Sequence, residues 1–121
     1  MTASVGTNMT KNLNIYVDVD DTLVRSVGSK RLPMPAVIQH VRNLKADGMT
    51  LFCWSAGGAD YARQTAAELG IAECFERFLP KPNVILDDQR MDQWPRSLHV
   101  YPAQCESLEA EDYCTRLEET P

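Results

Sequence analysis

The sequence predicts one α/β domain, a mainly parallel central sheet between helical layers spanning residues 13–121, with residues 1–12 as a loose N-terminal segment. Three observations carry that expectation. Strand-like and helix-like stretches alternate along the chain, which is the pattern of a parallel sheet with helices packed on its faces. Two runs, Ile15-Tyr16-Val17 and Val84-Ile85-Leu86, are apolar at every position, as strands covered on both faces are. Both run directly into acidic residues. At 121 residues the chain is large enough for one core and too small for two.

Taken in order, Ile15 to Val17 read as a central strand that climbs into Asp18-Val19-Asp20-Asp21-Thr22. The next segment, Val24 to Pro33, has Gly28-Ser29 between two short arms and reads as a hairpin or flap. It holds the densest positive charge of the chain. Pro35 opens a helix in its first turn, with Val37, Ile38, Val41 and Leu44 as the apolar stripe and Gly48 as its end. His40 falls among the polar positions of that helix and reads as a surface residue. Met49 to Trp54 form the next strand, ending at Ser55-Ala56-Gly57-Gly58. A second helix starts near Ala59, buries Ala62, Thr65, Ala66 and Leu69, and stops at Gly70. Phe75 to Pro80 read as a short extended piece, Val84 to Leu86 as a buried strand ending at Asp87-Asp88, and Ser97 to Tyr101 as a last strand. Ser107 is placed to cap a final helix, from about Leu108 to Glu118.

Composition narrows the function. The net charge of −5 argues against nucleic acid as an obligate partner, because a phosphate backbone is held by clustered Lys and Arg. No stretch approaches the ~20 apolar residues of a membrane span, and Met1 to Asn12 lack the apolar core of a secretion signal. The four cysteines form no CxxC pair and have no accompanying histidine pattern, so reduced thiols in a cytoplasmic protein are expected.

Asp18 and Asp20 leave their strand on the same side, because side chains alternate along a strand. Two carboxylates that close repel each other unless a cation lies between them or one keeps its proton. In a parallel α/β sheet, ligands sit at the carboxyl ends of the strands. Three expected strands end there in polar signals: Asp18-x-Asp20-x-Thr22, Ser55-Ala56-Gly57, and Asp87-Asp88. Oxygen ligands in such number suit Mg²⁺, which binds through one or two carboxylates plus water and a substrate phosphate. The loop after Ser55 offers a hydroxyl and helix N-terminal N–H groups to an anion. Ordinary solvated acids would account for Asp18 and Asp20 alone, but not for the matching signals on the other strands.

In that order, Asp18-Val-Asp20-Asp-Thr22, a strand ending in Ser55, and then Asp87-Asp88 resemble the haloacid dehalogenase superfamily of phosphohydrolases, over roughly residues 13 to 90. The resemblance implies a three-layer, Rossmann-like fold and an Mg²⁺-dependent phosphomonoesterase with an aspartyl-phosphate intermediate. Asp18 would be the nucleophile, and Asp20 the acid and base, with its backbone carbonyl on the metal. Thr22 would steady Asp20 and the flap, while Ser55, with Ala56 and Gly57, would hold the phosphate. Asp18, Asp20, Asp88 and Asp87 would form the metal site, Asp88 being favoured as the direct ligand of that pair. The family also uses a lysine that bridges nucleophile and phosphate, and Lys81 is the candidate. Lys81 lies only six positions before Asp87, however. A strand over Asn83 to Leu86, rising about 3.3 Å per residue, would start Lys81 near the opposite rim. Either Lys81 lies in a folded-back loop, or Arg25, Lys30, Arg31 or Arg90 supplies the cation.

Only twelve residues lie between Thr22 and Pro35, too few for an inserted cap domain. The expected site is therefore open, or covered by another copy of the chain, and Trp54, Tyr61 and Trp94 are candidates to line its mouth. The expected substrate is a phosphorylated small molecule. Two other readings use similar residues. A signalling receiver also has an acidic pair and Mg²⁺, but wants its acceptor Asp where this chain has Ser55. A catalytically weak or inactive relative would bind a phosphorylated ligand or protein without turning it over.

Overall fold

A computed structural model describes residues 12–119; of the expected N-terminal segment, only Asn12 falls within them. The described chain is mixed α/β, built on a small parallel sheet with no cap domain. Strand β1 (Asn14–Asp18) leads through a tight turn into the hairpin β2 (Val24–Val27) and β3 (Lys30–Pro33). Helix α1 (Pro35–Ala46), strand β4 (Thr50–Ser55), helix α2 (Ala59–Glu68) and strand β5 (Phe75–Pro80) follow. After β5 the chain runs irregularly, with 3₁₀ segments at Met91–Gln93 and Pro102–Ser107, to α3 (Ala110–Glu119).

The sheet order is β1-β4-β5, all parallel, so β4 is central and β1 lies at an edge. Each crossover passes through one helix, and right-handed crossovers in sequential order put both helices on one face. The alternation in β4 agrees: Leu51, Cys53 and Ser55 are buried, while Thr50, Phe52 and Trp54 are half-buried. Val17, Leu51 and Cys53 share one core with Val41 of α1 and Ala62 and Ala66 of α2. On the other face Tyr16 stacks on Phe52 and meets Trp54 edge-on, and it is 47% exposed. Thus β1 is not the doubly covered central strand its composition suggests: an apolar run cannot distinguish burial by a second layer from an aromatic patch.

The hairpin forms as expected, with Gly28 at φ +61° in its turn. Both helices end where glycine permits a left-handed residue, at Gly48 (φ +87°) and Gly70 (φ +75°). The expected stripe of α1 is buried, but so is His40. It shares a hydrogen bond with Tyr113 of α3, and their rings meet edge-on. Burial lowers the imidazole's pKa below its usual value and is the main cause raising the Tyr113 phenol to about 12. Periodicity within α1 could not reveal that α3 packs against its polar-looking side.

Three expected elements are corrected. Val84, Ile85 and Leu86 are not a buried strand; they are irregular, and Leu86 is 99% exposed. The sheet's third strand is Phe75–Pro80 instead, where charged residues interrupt the apolar ones and hide the signal. Pro80 and Pro82 bracket Lys81 and lack the N–H that continued pairing requires. Ser97 to Tyr101 are likewise not a strand. Ser107 does not cap α3: its hydroxyl donates to the Gln104 carbonyl, and Asp112 accepts from the Glu109 N–H ahead of the helix. All four cysteines are free, and no helix among the described residues is long and apolar enough to cross a membrane.

Candidate active site at the carboxyl end of the sheet

The turn after β1 is built on one carbonyl. Val19 O accepts from the N–H groups of Thr22, Leu23 and Val24 at 3.2, 2.9 and 3.2 Å, and Asp21 takes φ +63°. Aspartate tolerates that left-handed conformation better than most residues. Val19 and Leu23 are fully buried beneath the turn. Anchored in this way, Asp18 stays at the strand end, while Asp20 faces solvent.

Lys81 meets Asp18 directly. Its Nζ lies 3.0 Å from Asp18 Oδ1. The reach expected to be too long is short because β5, not Val84 to Leu86, brings the chain to this rim. Ser55 pairs with Pro80, and the Lys81 N–H donates to Ser55 O at 2.9 Å, extending the ladder by one residue. Asp18 pairs with Trp54, and Lys81 Nζ lies 6.0 Å from the Trp54 ring centroid. Thr22 Oγ1 donates to Asp18 Oδ2 at 3.2 Å, so it steadies Asp18 and not Asp20 as expected. Below this pair, burial and then the Asp18 charge push the Cys53 thiol up to about 12, which keeps it protonated.

Asp20 is held from α2. Tyr61 Oη donates to Asp20 Oδ1 at 2.7 Å. That hydrogen bond, followed by burial and the Asp20 charge, raises the phenol's pKa. Arg31 of the hairpin packs over the same ring, 5.1 Å from its centroid, and donates to Thr65 Oγ1 at 2.6 Å. It also reaches Glu68 Oε1 at 3.4 Å. Arg31 is thus a tie between flap and helix and does not pair with Asp18. Sequence reasoning placed Tyr61 only at the mouth. Its position in the first turn of the helix after the Ser55 loop is the signal that could have located it.

Ser55 is 1% exposed, and its Oγ accepts the Gly57 N–H at 3.0 Å. The Gly57 amide expected to face an anion is therefore already used inside the loop. The Ser55 hydroxyl keeps its own proton to donate. Asp87 and Asp88 are not brought to a strand end: they lie in an exposed stretch, and Asp87 Oδ1 accepts the Gln89 N–H at 2.9 Å in a local turn. Among the described residues no three acidic, histidine or cysteine groups converge on a common metal position. Of the four expected carboxylates, Asp18 ends β1 and Asp20 lies in the turn after it, while Asp87 and Asp88 lie in the irregular segment after β5.

The assembled group is a partly buried carboxylate flanked by a cation and a hydroxyl, beside a second carboxylate held by a phenol. Chemically it offers an oriented oxygen nucleophile and a separate proton carrier. Comparison with family models, curated proteins and solved structures finds no match to this chain.

Proposed function

We propose that the protein is a phosphohydrolase of the haloacid dehalogenase type, releasing phosphate from a monoester through an aspartyl-phosphate at Asp18. The observation that carries this reading is the contact of Lys81 Nζ with Asp18 Oδ1 at 3.0 Å, with Thr22 on the other oxygen. A carboxylate is a weak nucleophile that needs alignment and relief from the charge of the phosphate it attacks. In the first step an Asp18 oxygen bonds to phosphorus, and the ester oxygen leaves with a proton from Asp20. In the second, Asp20 takes a proton from water, whose oxygen attacks the phosphorus and frees Asp18 and inorganic phosphate. Mg²⁺ is the proposed cofactor, supplying charge neutralisation at the phosphate. Asp18 and Asp20 are the carboxylates at hand, and Mg²⁺ can complete its shell with water and substrate oxygens. The same reading carries a three-layer, Rossmann-like arrangement, supported by the parallel sheet and the helices α1 and α2 that share its core. A phosphorylated small molecule is the substrate class, in a cytoplasmic setting, with a second copy of the chain covering the open site.

One observation favours a second reading. With Asp87 and Asp88 in an exposed loop, the chain would bind a phosphorylated ligand or protein partner without turnover. Phosphate release from a panel of sugar phosphates, nucleotides and a phosphoprotein, with and without Mg²⁺, separates the two. The phosphohydrolase reading expects Mg²⁺-dependent release that Asp18→Asn abolishes while the chain stays folded. Release that survives Asp18→Asn removes the nucleophile assignment, and no release from any substrate favours the binding module.

A further inference from the structure

Tyr61 stands where three parts of the site meet. Its hydroxyl donates to Asp20 Oδ1 at 2.7 Å, from the first turn of α2. Arg31 of the hairpin covers its ring and is itself held by Thr65 and Glu68 of the same helix. On the loop side, a Cβ added at Gly57 would come within 3.0 Å of Tyr61 Cδ2 and 3.3 Å of Cγ. A side chain at residue 57 would crowd the ring, which would have to give by a few tenths of an ångström. The ring is therefore confined by the hairpin on one side and by the Ser55 loop on the other.

The partner of this confined donor is an exposed carboxylate on a tight turn. Such a side chain samples several rotamers unless something fixes it. A short hydrogen bond to an ionised acceptor is about twice as strong as a neutral one. It comes here from a side chain with few rotatable bonds, already packed. The bond uses Oδ1 and leaves Oδ2 to carry the transferred proton.

We infer that Tyr61 is the positioning residue for Asp20, aiming its free carboxylate oxygen at the leaving group, with Arg31 and Gly57 holding Tyr61 in place. The inference rests on the reading of Asp20 as the proton carrier of a phosphohydrolase. Mere packing of Tyr61 would leave the rate of every ester equally affected when the hydroxyl is lost.

The test compares two probes that differ in how much they need an acid. Tyr61→Phe keeps the ring and its packing. With β-glycerol phosphate, whose alkoxide leaves poorly, kcat/KM is expected to fall about tenfold, part of what a general acid contributes. With 4-nitrophenyl phosphate, whose phenolate leaves unaided, the fall is expected to stay under about twofold. A crystal structure of Tyr61→Phe is expected to show the Asp20 carboxylate rotated from its place. Equal losses on both esters, no loss on either, or an unmoved Asp20 would overturn the inference while leaving the phosphohydrolase reading intact. A wild-type chain that releases phosphate from neither ester, with Mg²⁺ present, overturns that reading and this inference with it.

Discussion

Lys81 and Asp18 face each other across the carboxyl end of the sheet at 3.0 Å, joined by two strands that are not neighbours. Strand β1 carries Asp18, β5 carries Lys81, and β4 lies between them with Trp54 beneath the ammonium group. Both side chains are part-exposed, at 29% and 39%, so the pair adds little to stability. Its value is positional. Under the proposed function, Lys81→Met is expected to lower kcat/KM by about 100-fold or more, as loss of one aligned charge at a reacting oxygen does. The melting temperature should change little. Lys81→Arg is expected to recover only a small part of the loss, because a planar guanidinium does not replace a point charge. Steady-state kinetics beside thermal melts check both statements.

In the proposed mechanism, Asp20→Asn separates the two chemical steps. An amide cannot take the proton from water, so the phosphorylated Asp18 should persist. With 4-nitrophenyl phosphate the expected result is a burst of close to one nitrophenolate per chain, followed by slow turnover. Rapid-quench measurements on wild type and variant, with mass detection of the phosphorylated chain, read this out. Steady release without a burst would remove Asp20 from the second step.

The hairpin is tied to α2 through Arg31, which donates to the buried Thr65. Arg31→Met keeps much of the aliphatic stem and removes the donors. Faster amide exchange is expected over Val24–Pro33, with α1 and β4 unchanged, since the loosened unit is the hairpin alone. Hydrogen–deuterium exchange resolved by peptide measures it.

His40 and Tyr113 link α1 to α3 inside the protein. Burial holds the folded-state pKa of His40 below its ordinary value of about 6.5. Below that pH the unfolded chain binds a proton that the folded chain resists, so stability is lost as pH falls. Above it, both states are neutral and this residue contributes no slope. Urea midpoints measured from pH 7.5 to 5.5 should decline in the wild type and flatten in His40→Gln.

Leu86 and Leu51 give opposite expectations from the same residue type. Leu86 is 99% exposed, so Leu86→Ala should change unfolding free energy by under about 0.5 kcal/mol. Leu51 is 1% exposed in the central strand, and Leu51→Ala should cost about 2–5 kcal/mol. Denaturant titration of the two variants distinguishes the irregular segment from a strand in the core.

The sequence by itself determined the elements whose signals are local. The carboxylates at the end of β1, the glycine turn of the hairpin, the apolar stripes of α1 and α2 and their glycine stops were all legible, because each is set by neighbours a few residues away. Tertiary structure alone decided which run became the third strand. Phe75–Pro80 has interrupted polarity and Val84–Leu86 has none, yet pairing with β4 selected the former. That choice carried Lys81 to Asp18 and left Asp87 and Asp88 in an irregular, exposed stretch instead of at a strand end. Tyr61 on Asp20, Arg31 on α2 and His40 under α3 were hidden for the same reason. Each depends on a partner between 34 and 73 residues away along the chain, and such contacts have no short-range pattern to read.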